Sequence, residues 1–300
     1  MSSLVEYEPY VDQCADVYSQ RLAELSKTGL QANMGHWMQC YAFDVIGCIT
    51  YSERFGFLDR GQDIAGIINA LEEFLWYSSV MGVYAYLHPY YSRLQSMMIQ
   101  SGKEPRGIPY IQKFTQDLIA KKTQGKPQAV DAEKGVAPGV AKDFLAKFLE
   151  RHAQDAETFT NYHIFHGCNN NMMAGSDTTA ISLSAILYYL LKYPHCYQRL
   201  REEVDEYQRQ GKIGQFVSFK HSQEMPYLQA VIKEALRMHP ATGLPLERVV
   251  PAGGATIAGQ FFPEGVSSQH PTPPPALGCY LPKDKQVSRT NAIAMILTSI

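Results

Sequence analysis

No uninterrupted apolar run in this sequence approaches the ~18 residues that a membrane-spanning helix needs, and Met1-Ser2-Ser3-Leu4-Val5 offers neither a basic n-region nor an apolar core. A secretory signal and an N-terminal membrane anchor are therefore not expected. Basic excess is also missing: 27 Lys and Arg stand against 29 Asp and Glu, a net charge of −2, which argues against a nucleic-acid partner. The six cysteines, Cys14, Cys40, Cys48, Cys168, Cys196 and Cys279, form no C-x-x-C pair, so reduced thiols are expected, not a disulfide or zinc framework. Tryptophan is scarce: neither Trp37 nor Trp76 has an Arg four residues on.

What remains is a helix-rich globular chain, 45% hydrophobic and 19% charged over 300 residues, enough to bury a large single core. Helices are expected over 4–26 and 31–50, separated by Thr28-Gly29, then over Asp63–Met81 and Ile108–Lys122. Gly125 to Ala141, with its prolines, glycines and scattered charges, reads as a surface loop within one domain. The longest element is Asn161 to Tyr193, roughly 33 residues or about 50 Å of helix, stopped by Pro194. Its second half, Ala180 to Leu191, is apolar on nearly every face, which predicts a helix surrounded by protein.

Mid-helix, Ala174-Gly175-Ser176-Asp177-Thr178-Thr179 places a glycine, an acid and three hydroxyls where propensity and burial favour Leu or Ala. Ser and Thr hydroxyls bond the carbonyl one turn back, so local distortion is expected. Two readings stay open. Either a flat ligand approaches the backbone there, with Asp177 and Thr178 as a proton path, or the patch faces a solvent cleft or a helix crossing at Gly175. Further on, Glu234 and Arg237 lie three apart on a helix of Tyr227, Leu228, Val231, Ile232 and Leu236 that closes with His239-Pro240, so they can pair with each other and with a third group. An isolated E-x-x-R is more often a solvated surface pair.

Taken together, A-G-S-D-T-T at 174–179 and K-E-A-L-R-M-H-P at 233–240 resemble the cytochrome P-450 family of haem-thiolate monooxygenases. Tyr193-Pro194 followed by Gln198 to Val204, and Met225-Pro226-Tyr227-Leu228, agree with it. Phe43-Asp44-Val45-Ile46-Gly47 and Arg54-Phe55-Gly56-Phe57-Leu58 look like the filamentous-fungal branch, often in secondary metabolism or aromatic detoxification. The fold class implied is mainly α: a cytochrome P-450-like helical domain with a small β region, incomplete, covering residues 1–266. By resemblance, Asp177 and Thr178 are the catalytic proton relay, Ala174, Gly175 and Arg248 the haem-binding residues, and Glu234 with Arg237 a buried structural pair whose disruption costs roughly 3–5 kcal/mol. For Arg248 a surface role beside Glu247 is the alternative. Tyr77, Tyr84, Tyr86, Tyr90 and Tyr91 around His88-Pro89 fall at the family's lid, where they either line an aromatic pocket or simply pack.

The resemblance has limits. The W-x-x-x-R segment of the family is absent, so the start looks internal to the fold. Residues 267–300, with prolines at 271 and 273–275, are expected to be a non-homologous, extended tail lacking the F-x-x-G-x-R-x-C-x-G loop. Cys279 has none of that loop's neighbours and is a poor iron ligand. Three readings follow: a haem-dependent monooxygenase oxidising a small apolar or aromatic molecule with O2 and electrons from an NADPH-dependent reductase, represented by an incomplete chain; a catalytically inactive truncated remnant; or a haem-free helical ligand-binding protein. The resemblance implies the endoplasmic reticulum membrane for a full-length relative and, without an anchor, the cytoplasm for this chain.

Overall fold

The computed structural model describes residues 5–29, 31–102, 106–124, 142–243, 246–257 and 259–270. The sequence expectation at 125–141 lies outside the described residues, as does nearly all of the expected tail. The opening elements follow their punctuation. Helix α1 (Glu8–Thr28) has Pro9 in its first turn and stops at Gly29 with φ +67°. Helix α2 (Met34–Tyr51) is capped by Asn33, whose side chain accepts the His36 N–H at 3.2 Å.

A buried carboxylate then turns the chain. Asp44 accepts N–H bonds from Gly56 (2.8 Å), Phe57 (3.2 Å) and Leu58 (3.0 Å), seating the short helix α3 (Phe57–Arg60) on α2. Phe43 stacks on Phe57 at 4.9 Å. A side chain on Gly47 would meet the Glu53 carbonyl at 2.6 Å, so the two segments that look fungal in the sequence are one packed unit. Asp63 likewise caps α4 (Ile67–Val83) through the N–H groups of Ile68 and Asn69.

A 3₁₀ turn (Ala85–Leu87) leads into α5 (His88–Gln100), in which no residue is buried. Helices α6 (Ile108–Gln124) and α7 (Phe144–Gln154) follow, the latter capped by Asp143 at 2.7 Å from the Ala146 N–H.

Helix α8 (Asn161–Lys192) runs unbroken for 32 residues. The expected distortion does not interrupt it, because the hydroxyls bond back within the ladder: Ser176 to the Met172 carbonyl, Thr178 to that of Ala174, Ser182 to that of Thr178. Helix α9 (Pro194–Arg209) is followed by α10 (Phe219–Glu224) and α11 (Pro226–Met238). Glu203 of α9 accepts the first N–H groups of α11, Tyr227 and Leu228, each at 2.9 Å, which fixes where α11 starts.

Two antiparallel ribbons complete the described chain: β1 (Leu246–Val249) with β4 (Ser267–His270), and β2 (Ala255–Ile257) with β3 (Gln260–Phe262). The first ribbon reaches four residues past the boundary expected at 266. One hydrophobic cluster gathers α1, α2, α3, α4, α6, α7 and the first half of α8. A second joins the end of α8 to α9 and α11 through Ile186, Leu190, Leu200 and Val231. No helix of the described residues is long and apolar enough to cross a membrane.

Candidate functional site

At 100° per residue, Ala174, Asp177, Thr178, Ile181, Ala185 and Tyr188 fall on one side of α8. That side is the more open one. Ala174 is exposed and Tyr188 is 57% exposed, with Asp177, Thr178 and Ile181 half-buried and Ala185 buried. Leu191 elsewhere on the helix is 67% exposed, so the expectation of a helix enclosed by protein holds only in part, chiefly where Met172, Ser176, Ala180 and Ile186 are buried. A cavity of about 410 Å³ opens along this stripe, walled by Gly35 and Gln39 of α2, by Asp177, Ser184, Tyr188 and Tyr189 of α8, and by His239 at the end of α11.

One of the candidates, Asp177, lines this cavity, and Thr178 follows it on the helix. The Asp177 carboxylate accepts a hydrogen bond from Gln39 Nε2 at 3.4 Å; burial, helped by the negative charge of Glu72 on α4, holds its carboxyl above the ordinary value. Thr178 Oγ1 donates to the Ala174 carbonyl at 2.7 Å, leaving its lone pairs free to accept. Gly175 has a different place: a side chain there would meet Ile46 Cδ1 at 2.4 Å and Cγ1 at 2.9 Å. The glycine lets α2 and α8 cross closely, which is the helix-crossing alternative read from the sequence.

Glu234 and Arg237 form a two-pronged pair, Nε to Oε2 at 2.7 Å and a terminal guanidinium nitrogen to Oε1 at 2.8 Å. It is not fully buried: the side chains are 17% and 32% exposed, and Leu236 beside them is 43% exposed. No third charged side chain reaches salt-bridge range of the pair among the described residues. The expectation of a buried structural pair is therefore corrected to a half-buried one, because the buried residues of α11 are Tyr227, Leu228, Val231 and Ala235, packed against α8 and α9, and the pair is not among them. Arg248 is exposed on β1 opposite Ser268, outside the residues that wall the α8 cavity.

Of the two sides of the haem-thiolate site that the resemblance implies, the described residues carry only the α8 side. The stripe of α8 offers a small residue, a hydroxyl and a carboxyl. The sulfur side is not met among them: Cys14, Cys40, Cys48, Cys168 and Cys196 are all buried and in no disulfide. Burial pushes Cys40 and Cys168 up to about 12, and contact with Cys48 raises Cys14 as well, the opposite of what a thiolate ligand needs. Cys279 lies outside the described residues.

A second cavity, about 540 Å³, lies between α4, α5 and the start of α6, lined by Trp76, Tyr77, Met81, His88, Tyr91 and Arg106 among others. Tyr77 and Tyr91 sit ring to ring at 4.7 Å, and the Tyr77 hydroxyl bonds His88 Nδ1. Tyr84, Tyr86 and Tyr90 point elsewhere, 48%, 70% and 75% exposed. So two of the five tyrosines singled out in the sequence line a pocket. Sequence reasoning missed Gln39 and His239 as cavity residues; their only signal is a fold that brings α2 and α11 onto α8.

Comparison with known proteins agrees with this geometry. The family model for cytochrome P450 matches residues 1–269. A cytochrome P450 monooxygenase of Aspergillus terreus is 36% identical over 268 residues, covering 88% of this chain and 53% of that protein. A pisatin demethylase of Fusarium vanettenii is 38% identical over 265 residues, covering 88% and 50%. A cytochrome P450 monooxygenase of Emericella nidulans is 33% identical, covering 88% and 51%. The chain spans about half the length of the curated relatives it matches. With a continuous α8 carrying A-G-S-D-T-T on its open side, the Glu234–Arg237 pair on α11 and a match over nine-tenths of its residues, this chain belongs to the cytochrome P450 family.

Proposed function

We propose that this chain is part of a haem-dependent monooxygenase that oxidises a small apolar or aromatic molecule, using O2 and electrons delivered by an NADPH-dependent reductase. The observation that carries this reading is the Asp177 carboxyl in the α8 cavity with the Thr178 hydroxyl next to it on the helix, within a family whose relatives are monooxygenases by name. Haem, when bound through a thiolate, supplies the activation of O2 and the oxidation of a C–H bond. What this chain adds is the supply of protons and the shape of the wall. Asp177, held above the ordinary carboxyl value, keeps a proton more of the time than a solvated carboxyl does. Thr178 Oγ1 donates to the Ala174 carbonyl and keeps lone pairs that can accept a hydrogen bond on the same side of α8. Ala174 leaves the stripe flat. The aromatic lining of the cavity beneath α5 supports a substrate that is itself planar and weakly polar.

The test is a reduced carbon-monoxide difference spectrum of the 300-residue chain expressed with added haem. A strongly red-shifted Soret band would establish thiolate ligation by this polypeptide. No band, or one typical of histidine-bound or unligated haem, would mean that this chain alone does not form the site.

A further inference from the structure

Asp177 is approached from helices other than its own, and that arrangement has a chemical purpose. Its carboxylate lies in the cavity between α2 and α8, where the Gln39 amide reaches it across 138 residues of sequence. Gln39 is neutral, so it can hold the carboxyl in place without forcing it to ionise, as a Lys or Arg at the same spot would. The other charged or titratable groups on this site are Glu72 of α4, whose charge acts on Asp177, His239 at the end of α11, and Tyr188 and Tyr189 on α8 itself. Among the described residues, no Lys or Arg lines this cavity. The geometry points to Gln39 as a positioning residue for Asp177, holding its carboxyl at the cavity so that protons enter the α8 stripe from the side of α2 and His239. This rests on the monooxygenase reading for its purpose, but not for its test. Burial and Glu72 both favour the protonated form of Asp177; an N–H donor such as Gln39, at 3.4 Å, stabilises the charged form.

The experiment uses the full 300-residue chain and follows the side-chain carboxyl stretch by infrared spectroscopy across pH. Asp177→Asn identifies the Asp177 band by its loss. Gln39→Leu removes a donor to the charged form and is expected to move the titration midpoint of that band up. Glu72→Gln removes a negative charge and is expected to move it down. Thermal midpoints are recorded alongside. An Asp177 midpoint that stays put or falls in Gln39→Leu overturns the proposal; a lowered thermal midpoint with an unmoved titration shows that Gln39 merely packs. Should Gln39→Leu fail to fold, the isosteric Gln39→Glu must raise the midpoint, and an unaltered value is equally fatal. The two readings separate cleanly. Shifted midpoints without a thiolate Soret band retain the positioning role and remove the monooxygenase; a thiolate band with unmoved midpoints does the reverse.

Discussion

Replacing Asp44 measures how much of the α2–α3 unit depends on acceptors and how much on charge. The side chain has no exposure and takes three backbone N–H bonds, two on Oδ1 from Gly56 and Phe57 and one on Oδ2 from Leu58. Stranding a buried donor costs roughly 1–3 kcal/mol. Asp44→Ala strands three, and at the lower bound for each the loss is about 3 kcal/mol. Asp44→Asn keeps Oδ1 and strands only the Leu58 N–H, so it is expected to lose about 1 kcal/mol. Arg54 is a minor partner, 3.9 Å from Oδ2 and itself bound to Asp59 at 2.7 Å. Burial pushes the Asp44 carboxyl up, against the pull of the three N–H bonds and Arg54, which fits a site that tolerates a neutral amide. Urea unfolding followed by tryptophan fluorescence reads the differences. A loss in Asp44→Asn as large as in Asp44→Ala would refute the reasoning, because charge would then matter more than acceptors.

Asp177 offers a pH test. Its folded-state value is raised above the ordinary 3.8, so the folded chain binds the proton more tightly than the unfolded one, and the stability this contributes is present below that value and lost as pH rises through the raised one. Asp177→Asn should therefore flatten the fall in melting temperature across this window; an unchanged pH profile would count against it. Gly175→Ala gains about 1 kcal/mol of helix propensity but loses about 1–3 kcal/mol to overpacking against Ile46, a net destabilisation that adding Ile46→Val, which removes the atom met at 2.4 Å, should partly recover in thermal melts. Glu234→Ala and Arg237→Ala are each expected to cost about 1 kcal/mol, not the larger penalty of a buried pair, since both side chains keep contact with water. In a full-length haem-loaded protein, Asp177→Asn and Thr178→Ala should lower turnover while leaving haem content nearly unchanged; loss of haem in both would recast them as structural.

Much of the frame was legible because its signals are local. Helix α8 announces itself by length and by Pro194, and its hydroxyls bond back as their chemistry requires. The Asp143 cap and the apolar spacing of Phe144, Leu145, Phe148 and Leu149 mark α7 for a reader who looks there. Helix α5 is harder, because the apolar and aromatic residues of HPYYSRLQSMMIQ do not sort into a buried and an exposed side. What resists sequence reasoning is long-range. The Gln39–Asp177 contact joins residues that no spacing rule connects, the role of Gly175 is decided by an isoleucine on another helix, and the apolar sequence of Ala180–Leu191 does not reveal that Tyr188 and Leu191 face outward. The exposure of the Glu234–Arg237 pair likewise depends on what packs around α11, not on α11.

Helix α8 contributes side chains to both hydrophobic clusters, Met172 and Ala180 to one, Ile186 and Leu190 to the other. A single hydrogen-bonded rod shared in this way couples their melting: neither cluster can lose its packing without exposing part of a helix the other still holds. Denaturation of the two should therefore be cooperative, one transition seen alike by probes placed in either cluster. Helix α5, with nothing buried, stands outside that bargain and can open at a far smaller free energy.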